Sequence, residues 1–168
     1  ANGRVFAGTN NESPRDTGKK GDRGVVMCFN EKSGEIEWQL VIPKLGAGKV
    51  SDWEYIGVCS SPAIEGNRVY VVTNKCEVVC LDIEGFKNGN DGPFMDEENY
   101  VKPKGTQDSL NEKLDADIIW MYDMRDQLGV FPHNVTSSSP LIIGDSIFIA
   151  TSNGVDLSLI HISEPTRR

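Results

Sequence analysis

A segment rich in Asp, Asn and Gly stands near the middle of the sequence, DIEGFKNGNDG from Asp82 to Gly92. Hard cations such as calcium take several oxygen ligands from a tightly turning backbone, and this composition offers them. The candidate metal ligands are Asp82, Asn88, Asn90 and Asp91. The spacing departs from the D-x-[DN]-x-[DN]-G pattern of calcium loops, because Phe86 occupies the third ligand position counted from Asp82. A solvated turn is therefore favoured over a bound ion.

Two further segments, KVSDWEYIGVCSSP and DQLGVFPHNVTSSSP, place aromatic, imidazole and amide groups before a Ser-Ser-Pro sequence. A Trp can serve as a stacking platform, and the polar groups beside it can form hydrogen bonds or approach a metal. The candidate ligand-binding residues are Trp53, Glu54, His133 and Asn134. The alternative, which is favoured, is that Trp53 and His133 anchor their loops between neighbouring structural units. The Ser-Ser pairs are expected to bind backbone groups rather than to act as nucleophiles.

Histidine and cysteine offer little further chemistry. His133 and His161 are the two histidines of the chain, too few for a His-rich metal enzyme, and no catalytic residue is assigned. Cys76 and Cys80 lie in the apolar run CEVVCLD, and positions four apart on a strand are about 13 Å apart, too far for a disulfide or a shared zinc. Small core residues are favoured for these thiols. Long-range disulfides stay open, because Cys28 and Cys80 occupy equivalent positions of a repeat.

Composition and charge exclude two function classes. The chain has 168 residues and a net charge of −8, and its Lys and Arg residues are scattered. Because no basic stripe is present, binding to nucleic acid is disfavoured. No apolar run approaches the roughly 20 residues that a membrane-spanning helix needs.

An internal repeat determines which elements must position these candidates. The sequence SSPAIEGNRVYVVTN, residues 60–74, aligns with SSPLIIGDSIFIATS, residues 138–152. A partial copy, RVFAGTN at residues 4–10, aligns with RVYVVTN at residues 68–74. The Gly-Asn and Gly-Asp pairs of these segments predict hairpin turns.

The segments that follow each copy also correspond. VVMCFN matches EVVCLD, and GEIEWQL matches ADIIWMYD, with Trp38 opposite Trp120. Each unit is thus predicted to be four short antiparallel strands, and such units repeated along a chain indicate propeller blades. The predicted fold class is all-β: a partial β-propeller of about two four-stranded antiparallel blades, with a long insert at residues 83–115 that forms a surface excursion.

The predicted division of the chain follows this repeat. Residues 1–156 are a partial propeller, with a partial blade at 1–57, a complete blade at 58–136 and the start of the next blade at 137–156. Residues 157–168 match neither other copy and resemble the translated transposase adapter used in sequencing libraries. We therefore expect a fragment of low solution stability, with a non-native, unpaired tail that includes His161.

The unit VVMCFNEKSGEIEWQL resembles the blade motif of the pyrroloquinoline-quinone (PQQ)-binding-like, or quinoprotein-like, β-propellers. The matching positions are Asn30, Lys32, Gly34 and Trp38, with Asp82 and Trp120 in the second copy. The segments CLDIEGFKNGNDGPF and YDMRDQLGVFPHN further resemble a bacterial subgroup of these proteins.

The resemblance implies a periplasmic or secreted protein with a ligand-binding or protein-scaffolding role. Its alternative is part of a PQQ-dependent dehydrogenase whose catalytic residues lie mostly in other blades, and PQQ with calcium is expected only in a full-length protein. Family members stack the quinone on Trp and against a disulfide between adjacent cysteines, a pair that this sequence lacks. The implied partners are further blades of the same chain, other exported proteins or a small molecule, with no nucleic acid and no membrane span.

Overall fold

The computed structural model describes residues 1–48 and 51–151, and within them the chain is built mainly of antiparallel β-sheet. The strands are β1 (Arg4–Asn10), β2 (Arg23–Asn30), β3 (Ile36–Pro43), β4 (Ala63–Glu65), β5 (Arg68–Val72), β6 (Glu77–Asp82), β7 (Ile118–Asp123), β8 (Leu141–Ile143) and β9 (Ser146–Phe148). The helical pieces are a 3₁₀ turn (Gly85–Asn88), α1 (Glu97–Tyr100) and α2 (Met124–Leu128). None of the helices in the described ranges has the length and apolar character needed to cross a bilayer.

The strands form a first sheet β1–β2–β3, a second sheet β4–β5–β6–β7 and a third sheet β8–β9. Within each sheet, consecutive strands pair antiparallel, which confirms the predicted all-β class and, in the second sheet, the four-stranded unit. The hairpins β4–β5 and β8–β9 turn at Gly66 and Gly144, whose φ values of 57° and 55° suit glycine. The predicted tail, residues 157–168, and the end of the third unit, residues 152–156, lie outside the described residues.

One cross-strand arrangement occurs in both larger sheets. Cys28 of β2 lies opposite Trp38 of β3, and Cys80 of β6 lies opposite Trp120 of β7. Each ladder shifts register directly after its cysteine, so the irregularity is repeated as well as the residue types. The correspondence between the two sequence segments therefore extends to strand register.

On the strand that pairs with the other edge of the cysteine's strand, away from the tryptophan, each cysteine has an aromatic residue opposite it. Phe6 lies opposite Cys28 and packs on Trp38 at 5.9 Å between ring centroids with an interplanar angle of 50°. Tyr70 lies opposite Cys80 and packs on Trp120 at 6.1 Å and 48°. We call each set of three residues an aromatic–Cys–Trp rung. These tilted, offset pairs add to the stabilisation that burial provides.

The serines of the repeat bind backbone amides, as predicted. The Val72 N–H donates to Ser60 Oγ at 3.2 Å, and the Ala150 N–H donates to Ser138 Oγ at 3.0 Å. The second and third units thus each contain this hydrogen bond, made by equivalent residues. They tie the loop before each hairpin to the end of that hairpin's second strand.

The core lies between the first and second sheets. Trp38 is 1% exposed, and its Nε1 donates to the Ile83 carbonyl at 2.8 Å. The core cluster includes Val26, Cys28, Leu40 and Ile42 from the first sheet and Val69, Val71, Val79 and Leu81 from the second. β3 therefore contributes a face of apolar side chains that the second sheet covers completely.

The prediction that the insert is a surface excursion is wrong in part. Tyr100 and Val101 at the end of α1 are buried in the same core, and Tyr100 packs edge-on against Phe94. The Tyr100 hydroxyl donates to the buried Glu77 Oε2 at 2.8 Å. At the end of the insert, the buried Lys19 Nζ lies 2.6 Å from Asp115 Oδ2. A few well-placed aromatic and charged groups fasten the insert, although its apolar content is low.

We predict that Trp38→Phe destabilises the chain more than Trp120→Phe. The first substitution removes the donor to Ile83 O and leaves a buried carbonyl unpaired, which costs about 1–3 kcal/mol of unfolding free energy. Trp120 is only half-buried, so it is the matched control at the equivalent repeat position. Urea denaturation of both variants measures the difference, and equal losses would contradict the assigned role of Trp38.

Candidate functional site

The two loops that precede β4 and β8, which carry the candidate ligand-binding residues, meet. The Trp53 N–H donates to the Asn134 carbonyl at 2.8 Å, and the Ser61 N–H donates to Ser139 Oγ at 3.0 Å. The indole of Trp53 is 46% exposed, although its backbone is fixed. Its backbone anchors the loop, and its side chain is available to a ligand.

A buried ion pair holds the first of these loops. Lys44 Nζ lies 2.6 Å from Asp52 Oδ1, and Asp52 is almost fully buried. The same ammonium donates to the carbonyls of Trp53, at 2.8 Å, and Ile56, at 2.7 Å. Because the charged partner and both carbonyls are satisfied together, the backbone around Trp53 is held firmly.

The other candidate residues have different surroundings. Asn134 has a φ of 63°, in the left-handed region that Asn tolerates better than most residues. His133 is half-buried, and its Nδ1 has no hydrogen-bond partner among the described residues. Glu54 is exposed beside Trp53. Together these residues offer an aromatic face, an imidazole, an amide and a carboxylate near one loop junction.

The four predicted metal ligands divide into two aspartates that join a cluster of carboxylates and two exposed asparagines. Carboxylate oxygens of Asp82 and Asp91 come together with one from Asp117, all within 4.8 Å of one another. Asn88 and Asn90 are exposed, and their amide groups donate to Asp91 and Glu97, at 2.8 Å and 3.2 Å. The sequence therefore identified two members of an acidic cluster.

Sequence reasoning missed Asp117 and Glu97. Asp117 directly precedes β7 and is far from the segment in sequence, whereas Glu97 begins α1 shortly after the segment but outside the Asp, Asn and Gly run. The available signal was an acidic residue at the start of an apolar strand, in DADIIW. An acidic residue in that position is expected to be buried, and no basic residue stands directly beside it in the sequence to balance its charge.

The electrostatics of this acidic cluster are unbalanced. Burial, together with the negative charges of Glu97, Asp82 and Asp91, raises the pKa of Asp117 to about 6, although the hydrogen bond from the Asp91 N–H acts in the opposite direction. The guanidinium of Arg68 binds Asp82. Asp117 Oδ1 and Glu97 Oε1 are buried and have no hydrogen-bond partner among the described groups.

The described residues do not fit a bound PQQ. The four cysteines are free, and none is adjacent to another in the sequence. Trp38 is fully buried in its aromatic–Cys–Trp rung and offers no free face to a quinone, whereas Trp120 is half-buried and lines a groove. The adjacent-cysteine disulfide of quinone-binding propellers is therefore lacking in this part of the chain.

The cysteines are mainly core residues, as favoured from the sequence. Burial raises the pKa of the Cys28 thiol to about 12 and that of Cys80 to about 11, which keeps both protonated. The apolar run predicted a strand position for Cys76, but this residue lies in the turn before β6, with a φ of 63°. The alternative of long-range disulfides is wrong, because all four cysteines are free thiols. Cys59 differs from the other three in being exposed.

We predict that one thiol reacts quickly with Ellman's reagent in the folded chain at pH 8. Cys59 is exposed, whereas Cys28, Cys76 and Cys80 are buried and their raised pKa values disfavour the reactive thiolate. The other three should react only after urea is added. Cys59→Ser is the control and should have no fast-reacting thiol; rapid reaction of that variant would show that the buried cysteines are accessible.

Comparison with known proteins adds no relative. No protein-family model matches the chain, and no curated protein matches it. The likeness to quinoprotein-like propellers thus stays a resemblance of motifs, and inference about function rests on the geometry of the chain itself.

Proposed function

We propose that this chain is part of an exported, quinoprotein-like β-propeller repeat protein that binds a ligand or scaffolds other proteins. In this proposal the first and second sheets are neighbouring blades, and the third sheet is the start of the next blade. Further blades of the same protein are the first partners. The loops that carry Trp53 and Asn134 form part of the binding face, and the location is periplasmic or secreted.

The observation that carries the proposal is a difference in burial between equivalent residues. Trp38 and Leu40 of β3 are buried against the second sheet. Trp120 and Tyr122 occupy the same register positions in β7, opposite Cys80 and Val78, yet Tyr122 is 40% exposed. If the sheets repeat as blades, the face of β7 is expected to be covered as the face of β3 is.

The third sheet supports this arrangement. Ile147 of β9 and Ile149, just after that strand, line a groove of about 380 Å³ together with Trp120 and Tyr122. By the repeat, Ile147 corresponds to Val69 of the second sheet, a residue of the core that contains Trp38. Ile147 of the third sheet therefore lies beside Trp120 as its counterpart, Val69 of β5, lies in the core that contains Trp38. We propose that the groove holds the third strand of the next blade.

A binding or scaffolding role is favoured over quinone-dependent catalysis for two reasons. The described residues lack the adjacent cysteines against which quinone-binding propellers hold the quinone. The junction of the two loops, by contrast, combines a fixed backbone with an exposed indole at Trp53. A rigid aromatic residue loses little conformational entropy on binding, which suits it to ligand or protein recognition.

The blade arrangement predicts that Tyr122→Asp has different effects in two proteins. In the 168-residue chain the site is partly exposed, and the substitution should change the free energy of unfolding by about 0.5 kcal/mol or less. In the product of a longer reading frame, where a neighbouring blade covers the site, the buried charge should cost about 2 kcal/mol or more. Leu40→Ala is the control and should cost about 2–5 kcal/mol in both. Equal, small effects of Tyr122→Asp in both proteins would overturn the blade proposal.

The non-catalytic role predicts an inert product on reconstitution. The longest available form of the protein, incubated with PQQ and CaCl₂ and then passed through gel filtration, should retain no quinone absorbance. It should also show no dye-linked oxidation of alcohols or sugars. A retained quinone spectrum accompanied by substrate-dependent dye reduction would replace the binding role with the dehydrogenase.

A further inference from the structure

We propose that Asp82, Asp91 and Asp117 bind one calcium ion, which fastens the insert to the second sheet. The site is distinct from the loop junction around Trp53 and does not depend on the propeller proposal. Three chain segments supply it: the end of β6, the insert and the residue before β7.

The spacing of the oxygen atoms suits a single calcium ion. Calcium–oxygen distances are about 2.3–2.6 Å, so two oxygens on opposite sides of one ion are about 5 Å apart. Asp82, Asp91 and Asp117 each offer a carboxylate oxygen within 4.8 Å of the others. All three oxygens can therefore contact one ion without a large movement of the backbone.

Two buried oxygen atoms lack partners, and this observation is independent of the clustering. Asp117 is 0% exposed and Glu97 is 2% exposed. Asp117 Oδ1 and Glu97 Oε1 have no hydrogen-bond partner among the described residues. Burial of an unpaired charged oxygen is costly, and a bound cation removes that cost.

The remaining oxygens of these carboxylates are held by other groups. Asp117 Oδ2 accepts from the Asp91 N–H at 3.0 Å, and Glu97 Oε2 accepts from Asn90 Nδ2 at 3.2 Å. Asp82 Oδ1 accepts from the Glu84 N–H at 2.7 Å. These bonds fix the orientation of the carboxylates, as supporting hydrogen bonds do around metal ligands.

The net negative charge of the cluster favours a cation that carries more than one positive charge. Three carboxylates lie together, the negative charge of Glu97 also acts on Asp117, and the guanidinium of Arg68 binds Asp82. The carboxylates of Asp91, Asp117 and Glu97 have no basic side chain bound to them among the described residues. A divalent ion reduces the repulsion within the cluster far more effectively than protonation of a single oxygen.

The ligand chemistry selects calcium over other divalent ions. The donors are all oxygen, without thiol or imidazole, so zinc and copper are disfavoured. Asp91 comes from the irregular insert, in which Gly89 has a φ of 113°, and the other two ligands come from strand ends. Calcium accepts such irregular coordination more readily than magnesium. Asp82 therefore acts as a ligand even though Phe86 breaks the spacing of a calcium loop.

The binding test uses the 168-residue chain after dialysis against EDTA, with CaCl₂ titrated in a calorimeter. We expect one calcium ion per chain and a melting temperature that rises by about 5 °C or more at saturating calcium. Asp117→Asn keeps the shape of the side chain and removes one charge, and it should weaken calcium binding by about tenfold or more. Asp91→Asn should behave in the same way.

The matched control is Asp145→Asn, which changes an exposed aspartate in the β8–β9 turn. It should leave calcium affinity and the calcium-dependent rise in melting temperature as in the parent chain. If the parent chain shows no calcium heat and no rise in melting temperature at millimolar calcium, the proposal is wrong. Equal weakening by Asp145→Asn and Asp117→Asn would also overturn it, because binding would then reflect net charge alone. Tighter binding of magnesium than of calcium would overturn the choice of ion.

Limited proteolysis gives a second readout that does not depend on calorimetry. The insert carries exposed lysines that trypsin can cleave, Lys87, Lys104 and Lys113. If calcium fastens the insert, its cleavage should be about tenfold slower in calcium than in EDTA, and Asp117→Asn should abolish the difference. Equal cleavage rates of the parent chain in calcium and EDTA would contradict the fastening role.

Discussion

The hydrogen bond from Trp38 Nε1 to the Ile83 carbonyl is the interaction on which the other features depend. It joins the last strand of the first sheet to the residue directly after β6 in the second sheet, inside a closed core. Gly85 then packs on the indole, where an added Cβ would lie 3.1 Å from Trp38 Cδ1, and its φ of 62° also requires glycine. The course of the chain out of β6 is therefore set by the ring that holds the two sheets together.

The insert illustrates how a long connection can be ordered without a core of its own. Its start lies against Trp38, its middle inserts Tyr100 into the main core, and its end pairs with the first sheet through Ala116 N–H and Gln39 O at 2.7 Å. Each attachment uses a buried group that already belongs to one of the sheets. The insert is thus fixed at intervals, and the segment between Gly85 and Tyr100 is held where its carboxylates face the start of β7.

Much of the sheet structure could be predicted from the sequence because it is repeated. The match of Cys28 with Cys80 and of Trp38 with Trp120 identified strand partners, and the register agrees in both sheets. The turn at Cys76 and the burial of Tyr100 could not be predicted in that way, since neither has a counterpart in the other copy. The acidic cluster was only half predictable: Asp82 and Asp91 share a segment, but Asp117 joins them through the pairing of β6 with β7.

A comparison of Asn30 with Asp82 explains how the cluster arises from the repeat. Both residues end the equivalent strand, and both side chains accept a hydrogen bond from the N–H two residues later, at 3.0 Å for Asn30 and 2.7 Å for Asp82. In the first unit Asn30 closes a short turn that leads directly into β3, where a neutral amide suffices. In the second unit the same position carries a negative charge and leads into the insert, which brings Asp91 and Glu97 back to it. The substitution of carboxylate for amide preserves the turn while adding a charge whose natural counterpart is a cation.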